Sequence, residues 1–149
     1  MRKSTVLKSE VRNYVKDIIG SKIEKLSKFI EFTLEASRDI KKTPKYDSIR
    51  EETQEEIYQM QRQLGALKDL QRNMTKVLNT PTEVVKLGSI VYTNKARFYI
   101  SVSLGEFFFE GDRFYAISEE SPMARMMFGK KPGDSFILNN ISQTIEEIQ

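Results

Sequence analysis

Residues 38–46 read RDIKKTPKY, Arg38 to Tyr46, and they separate two long runs that each carry the periodicity of an amphipathic helix. Whether those runs form one rod or two paired helices depends on this stretch. Thr43 precedes a proline, which disfavours the α conformation for it, and Pro44 has no N–H to give to an interior helix bond. One helix is therefore expected to end and another to begin near Lys41 to Pro44, with Pro44 in the first turn of the second. The tip so formed, near 39–46, carries the acid Asp39 and the bases Lys41, Lys42 and Lys45, with Arg38 just before it.

On the N-terminal side, Val11, Val15, Ile18, Ile19, Ile23, Leu26, Ile30 and Leu34 are spaced by threes and fours, which makes one stripe of a helix. Lys16, Lys22, Lys25 and Lys28 lie largely off that stripe, and Gly20 is a weak interior position costing about 1 kcal/mol relative to Ala. On the other side, Ile57, Met60, Leu64, Leu67, Met74 and Leu78 keep a heptad register, interrupted by Gln71, as in the seam of a coiled coil. Two facing stripes predict an antiparallel hairpin over residues 1–80. With about 30 to 35 residues per helix, at about 1.5 Å per residue, it would project about 50 Å. Glu51, Glu52, Glu55 and Glu56 fall early in the second helix, on the favourable side of its dipole.

Charge separates the two halves of the 149 residues: residues 1–80 hold 17 Lys+Arg against 12 Asp+Glu, whereas residues 81–149 hold 7 against 9. A positive excess on the helical half suits a surface that meets nucleic acid or an acidic protein cleft, and equally a plain solvated helix face. The chain has no Cys and no His, which excludes a disulfide framework, thiol or His-dependent catalysis and ordinary zinc sites, and leaves carboxylates with Mg²⁺ as the metal chemistry open to it. MRKSTVLKSEV lacks the apolar core of a secretory signal, and no run of about 18 apolar residues occurs anywhere, so a cytoplasmic protein is expected.

After Leu78 the pattern changes at NTPTE, a linker containing Pro81. GSIVYTN, RFYISVS, EFFFE and RFYAIS follow, rich in β-branched and aromatic residues and divided by Gly88, Gly105 and Gly111, as strands are. Phe107, Phe108 and Phe109 are expected in the core rather than as an exposed binding patch. In SPMARMMFGKKPGD, Ser121 suits a helix cap, Pro122 the first helical position, Met126 and Met127 a short buried face and Gly129 the stop. DSFILNNISQTIEEI reads as two strands about an Asn139-Asn140 turn. Residues 81–149 thus predict a small antiparallel sheet with one short helix, and the whole chain an α+β protein.

SPMARMMFGKKPGD resembles the signature of the C-terminal domain of the bacterial Gre transcription elongation factors, an FKBP-like fold, with Ser121, Pro122, Gly129, Lys130, Lys131, Gly133 and Asp134 in register. KLGSIVY is similar to that domain's opening strand, and Glu35, Ala36, Asp39 and Tyr46 of EASRDIKKTPKYDSIREE match the family's coiled-coil tip in position. The resemblance covers nearly the whole chain. It implies a coiled coil inserted through the secondary channel of RNA polymerase, a globular domain resting on the channel rim through Ser121 to Asp134, and a tip that touches the active centre. In that family the tip Asp and Glu help hold a second Mg²⁺ so that the polymerase cleaves backtracked RNA, chemistry that suits hard carboxylate oxygens.

The tip departs from the family where that chemistry lives: Lys42 stands at the tip Glu position and Thr43 at the tip Asn position. A protonated Lys42 coordinates no Mg²⁺ and repels it. The reading that follows is a partner-binding factor rather than an enzyme, a monomer that binds RNA polymerase, contacts RNA or DNA only indirectly and modulates elongation or initiation without efficient transcript cleavage. Asp39, Lys41, Lys42 and Asp47 are then the active-centre contacts, and no cofactor is stably held. A cleavage-stimulating factor in which Asp39, with Asp47 as a stand-in, shares Mg²⁺ with the polymerase is the first alternative. A coiled-coil adaptor that does not act on polymerase is the second. Peptidyl-prolyl isomerase activity is disfavoured by the absence of Trp and of a recognisable proline-binding pocket.

Overall fold

The computed structural model describes residues 7–149, with helix α1 at Lys8–Arg38, a 3-10 turn at Pro44–Tyr46, and helix α2 at Asp47–Met74. Strands β1 Ile90–Thr93, β2 Arg97–Ser101, β3 Gly105–Phe109 and β4 Asp112–Ser118 follow, then helix α3 Pro122–Met127 and strands β5 Ser135–Leu138 and β6 Ile141–Ile148. The expected helical hairpin, small sheet and short helix are all present. The chain divides into two compact units, one holding Asp17–Gln71 and the other the residues up to Lys16 together with Arg72–Gln149. The outer ends of both long helices thus group with the sheet, where the sequence pattern places a boundary at residue 80. Apolar periodicity carries no mark of which partner a stripe packs against.

In the unit Asp17–Gln71 the two helices pair through Ile30, Ile57 and Met60, with Leu26 and Leu64 half-buried against them. A seam between only two helices leaves one side of most apolar residues in water. Ile23, Leu67 and Leu70 are accordingly half-buried and Leu34 is exposed. Reversal occurs where the proline requires it: Thr43 is extended at φ −126° and ψ 157°, and Pro44 opens the 3-10 turn that runs into α2. Asp47, rather than the later glutamates, occupies the first turn of α2, where the helix dipole acts most strongly.

In the other unit, Val11 and Val15 of α1 and Met74 and Val77 near the end of α2 are fully buried. Arg12 donates from Nε to the Val77 carbonyl at 2.6 Å and from Nη2 at 3.4 Å to the Met74 carbonyl, which also accepts from the Val77 N–H at 3.1 Å, and so ties α1 to the chain at the end of α2. The heptad register expected through Leu78 therefore stops at Met74. Leu78 lies past the helix end with 65% of its surface exposed, and Val77 takes the buried place. Gly88 sits against the Leu78 backbone with φ +94°, where a Cβ would stand 3.0 Å from the Leu78 carbonyl oxygen.

The six strands lie in the order β3-β4-β2-β1-β6-β5. Every neighbouring pair is antiparallel except β2 and β4, which run parallel with Phe98 opposite Tyr115. That pair departs from the antiparallel sheet expected from the strand runs: β3 takes the sheet edge and pairs antiparallel with β4, which places β4 between β3 and β2 and parallel to β2. One face carries Val91, Phe98, Ile100, Phe136 and Ile145 against Ala124 and Met127 of α3. The opposite face carries an aromatic layer, in which Phe107 and Phe114 stack at 5.4 Å and Tyr14 meets Phe109 edge-on at 5.4 Å. Strand alternation divides the phenylalanine run: Phe107 and Phe109 are buried while Phe108 is 50% exposed beneath Arg113. Asn139 and Asn140 both have positive φ, 53° and 64°, as a two-residue hairpin of mirror-image type requires.

Tyr99, 1% exposed, has its hydroxyl pushed up to about 12 by burial, with Arg12 offsetting part of the effect, and burial raises Tyr92 as well, reinforced by Glu147. Burial, and then Lys86, lower Lys8 to about 8. The unfolded chain thus binds more protons at Lys8 as pH rises from about 8 to 10.5, so this group makes stability increase there. The folded chain keeps the Tyr99 proton between pH 10 and about 12, so that contribution is present below pH 10 and lost above it. Guanidinium unfolding midpoints measured across this range should rise and then fall. Lys8→Met should flatten the rise and Tyr99→Phe should reduce the fall.

Candidate functional site

The segment Ser121 to Asp134 is built by local hydrogen bonds. Ser121 caps α3, its Oγ accepting from the Ala124 N–H at 3.1 Å, and Pro122 takes the first helical position, where no N–H is needed. Ala124 and Met127, three residues apart, point into the core, whereas Met126 is 39% exposed. The buried face expected from Met126 and Met127 is thus carried by Ala124 and Met127, since neighbouring residues on a helix diverge by about 100°. Gly129, with φ +78°, gives its N–H to the Val85 carbonyl at 2.9 Å, and the Lys130 carbonyl accepts from the Val85 N–H at 3.0 Å. Asp134 closes the following turn, its Oδ2 accepting from the Lys131 N–H at 2.9 Å, and Gly133 donates to the Ile145 carbonyl at 2.8 Å. Ser121, Gly129, Gly133 and Asp134 therefore have structural work to do, while Lys131 is exposed and Lys130 half-exposed at the surface they shape.

At the tip, α1 tightens as it ends: the Asp39 and Ile40 N–H groups bond three residues back, to the Ala36 and Ser37 carbonyls. Asp39, Lys41 and Lys42 are all exposed. Arg50 holds the reversal together, donating from Nη1 to the Lys41 carbonyl at 2.7 Å and to the Thr43 carbonyl at 3.2 Å, and pairing through Nη2 with Asp47. Asp47 is thus committed to an arginine that itself clamps the backbone. Sequence reading singled out Asp47 but passed over Arg50. The pair stands at i and i+3 on a helix, a spacing that could have drawn attention to it.

A hard divalent cation takes about six oxygen ligands. The tip offers Asp39 among cationic neighbours and an Asp47 already engaged, and among the described residues no three acidic side chains gather as a metal site. Among the described residues, no helix is long and apolar enough to cross a membrane.

No protein-family model matches the chain, and no curated protein matches it. Among solved structures it is similar to the crystal structure of GreA factor homolog 1 (Gfh1) protein of Thermus thermophilus, with 18% identity, 94% of this chain and 93% of that chain covered, and a TM-score of 0.35.

The hydrogen bonding separates residues that shape the segment from residues that decorate it. Ser121→Ala should cost about 1 kcal/mol of stability through loss of the cap. Lys131→Ala should stay within about 0.5 kcal/mol of the parent. Urea unfolding of the two variants checks both.

Proposed function

We propose that the chain is a Gre-like transcription factor that binds RNA polymerase through its secondary channel and modulates elongation or initiation without efficiently stimulating transcript cleavage. The observation that carries this reading is the chemistry of the tip. Lys42 stands exposed where the resembled family has its glutamate, and Asp47, the nearest replacement carboxylate, is paired with Arg50. Holding a second Mg²⁺ for cleavage calls for additional oxygen donors, and a protonated lysine supplies repulsion instead. Lys41 and Lys42 suit contact with acidic groups or phosphates in the active centre.

In this proposal the surface around Ser121, Pro122, Gly129, Lys130, Lys131, Gly133 and Asp134 rests on the polymerase, and Asp39 enters the active centre beside the two lysines. The protein acts as a monomer in this proposal. It performs no reaction itself, and any Mg²⁺ belongs to the polymerase.

The test is a stalled, backtracked elongation complex of the cognate polymerase, scored for protein retention and for shortening of the RNA 3′ end. Retention of the wild type without shortening, and shortening with Lys42→Glu, is the expected result. Shortening by the wild type that Asp39→Ala abolishes would replace this reading with a cleavage factor, and lack of retention would remove polymerase as the partner.

A further inference from the structure

At the tip of the hairpin lies a cavity of about 270 Å³, walled by Arg38 and Lys42 before the reversal and by Arg50, Thr53 and Gln54 after it. Three cations meet in one hollow, and no carboxylate lines it. Like charges brought together this way repel, and an anion between them removes the penalty. Asp47, engaged with Arg50, offsets one of the three charges and leaves the hollow net positive.

Arg50 is already held in place by its contacts to the Lys41 and Thr43 carbonyls and to Asp47. Its guanidinium has five N–H donors against those three contacts, and a fork fixed beforehand loses little freedom when it binds an oxyanion. Thr53 and Gln54 add a hydroxyl and an amide to the wall.

Size and lining decide the class of ligand. The volume lies just below the roughly 300–1,000 Å³ of sites that enclose drug-sized molecules. Ile40 is the one apolar side chain in the lining, and no aromatic ring is present there on which a base could stack. Paired arginine donors and a lysine point charge are the groups that recognise phosphate oxygens. We propose that this cavity binds a phosphate chain, the linked phosphates of inorganic pyrophosphate or of a nucleoside triphosphate, and leaves the base outside. The site is a property of the free protein and does not depend on polymerase binding, so the two proposals succeed or fail separately.

Isothermal titration calorimetry of the full-length protein, in low-salt buffer free of divalent cations, tests it with pyrophosphate, ATP, orthophosphate and adenosine. Pyrophosphate and ATP should bind with Kd values within about threefold of each other, orthophosphate about tenfold or more weaker, and adenosine should give no heat. Arg38→Gln and Lys42→Gln should each weaken pyrophosphate binding about tenfold or more, as loss of one charge-assisted hydrogen bond implies, with circular dichroism unchanged because both side chains are exposed. Lys22→Gln, on α1 outside the cavity, should leave the affinity as it is. Absence of pyrophosphate binding, ATP binding without pyrophosphate binding, orthophosphate binding as tight as pyrophosphate, or an equal loss with Lys22→Gln would each overturn the proposal.

Discussion

The hairpin depends on one reversal, in which an extended Thr43 and the ring of Pro44 stop the first helix and Arg50 ties the returning chain to the carbonyls of Lys41 and Thr43. Without a break there, the two amphipathic runs would favour one continuous helix, and their apolar stripes would have to find partners on other chains. Proline alone accounts for the break but not for its geometry. The direction of return is set by a guanidinium that bonds to the Lys41 carbonyl and to the Thr43 carbonyl, which also accepts from the Tyr46 N–H, and that is itself held by Asp47. The same clamp places Arg50 in the wall of the tip cavity, so the element that makes the hairpin also concentrates positive charge at its end.

The seam that follows from this reversal is thin. Ile30, Ile57 and Met60 are the well-buried members, and their neighbours keep one flank in water. The other unit is packed on both faces of its sheet, with aliphatic residues and α3 on one and stacked aromatics on the other. Val11, Val15, Met74 and Val77 are fully buried in that unit, and Arg12 caps the end of α2 there. A stripe that looks uniform in sequence therefore serves two different packing environments.

Much of the fold was legible because the signals are local. Pro44 after Thr43, Asn139-Asn140 between strand-like runs, and Ser121-Pro122 before a short apolar run each act through the backbone of a few neighbouring residues. Departures arose where the outcome depends on distant partners. Leu78 continued a heptad on paper, but the helix ended at Met74 and Val77 was buried instead. Met126 and Phe108 look as apolar as their neighbours, yet each lies on the solvent side of an element whose orientation is set by packing. At the tip, Asp39, Lys41 and Lys42 were evident as charges, while the roles of Arg38 and Arg50 were not.

The sequence by itself determined where the chain turns, which runs become helix or strand, and that lysines gather beside an aspartate at the tip. These follow from steric limits on proline and asparagine, from hydrophobic period and from residue identity, none of which needs a distant contact. Tertiary structure alone decided that β4 lies parallel to β2, that Asp47 is spent on Arg50, and that Arg38, Lys42 and Arg50 share one cavity. Each of these depends on which groups a folded backbone brings within a few ångströms, and side-chain charge and hydrogen-bonding capacity acquire a partner only at that range.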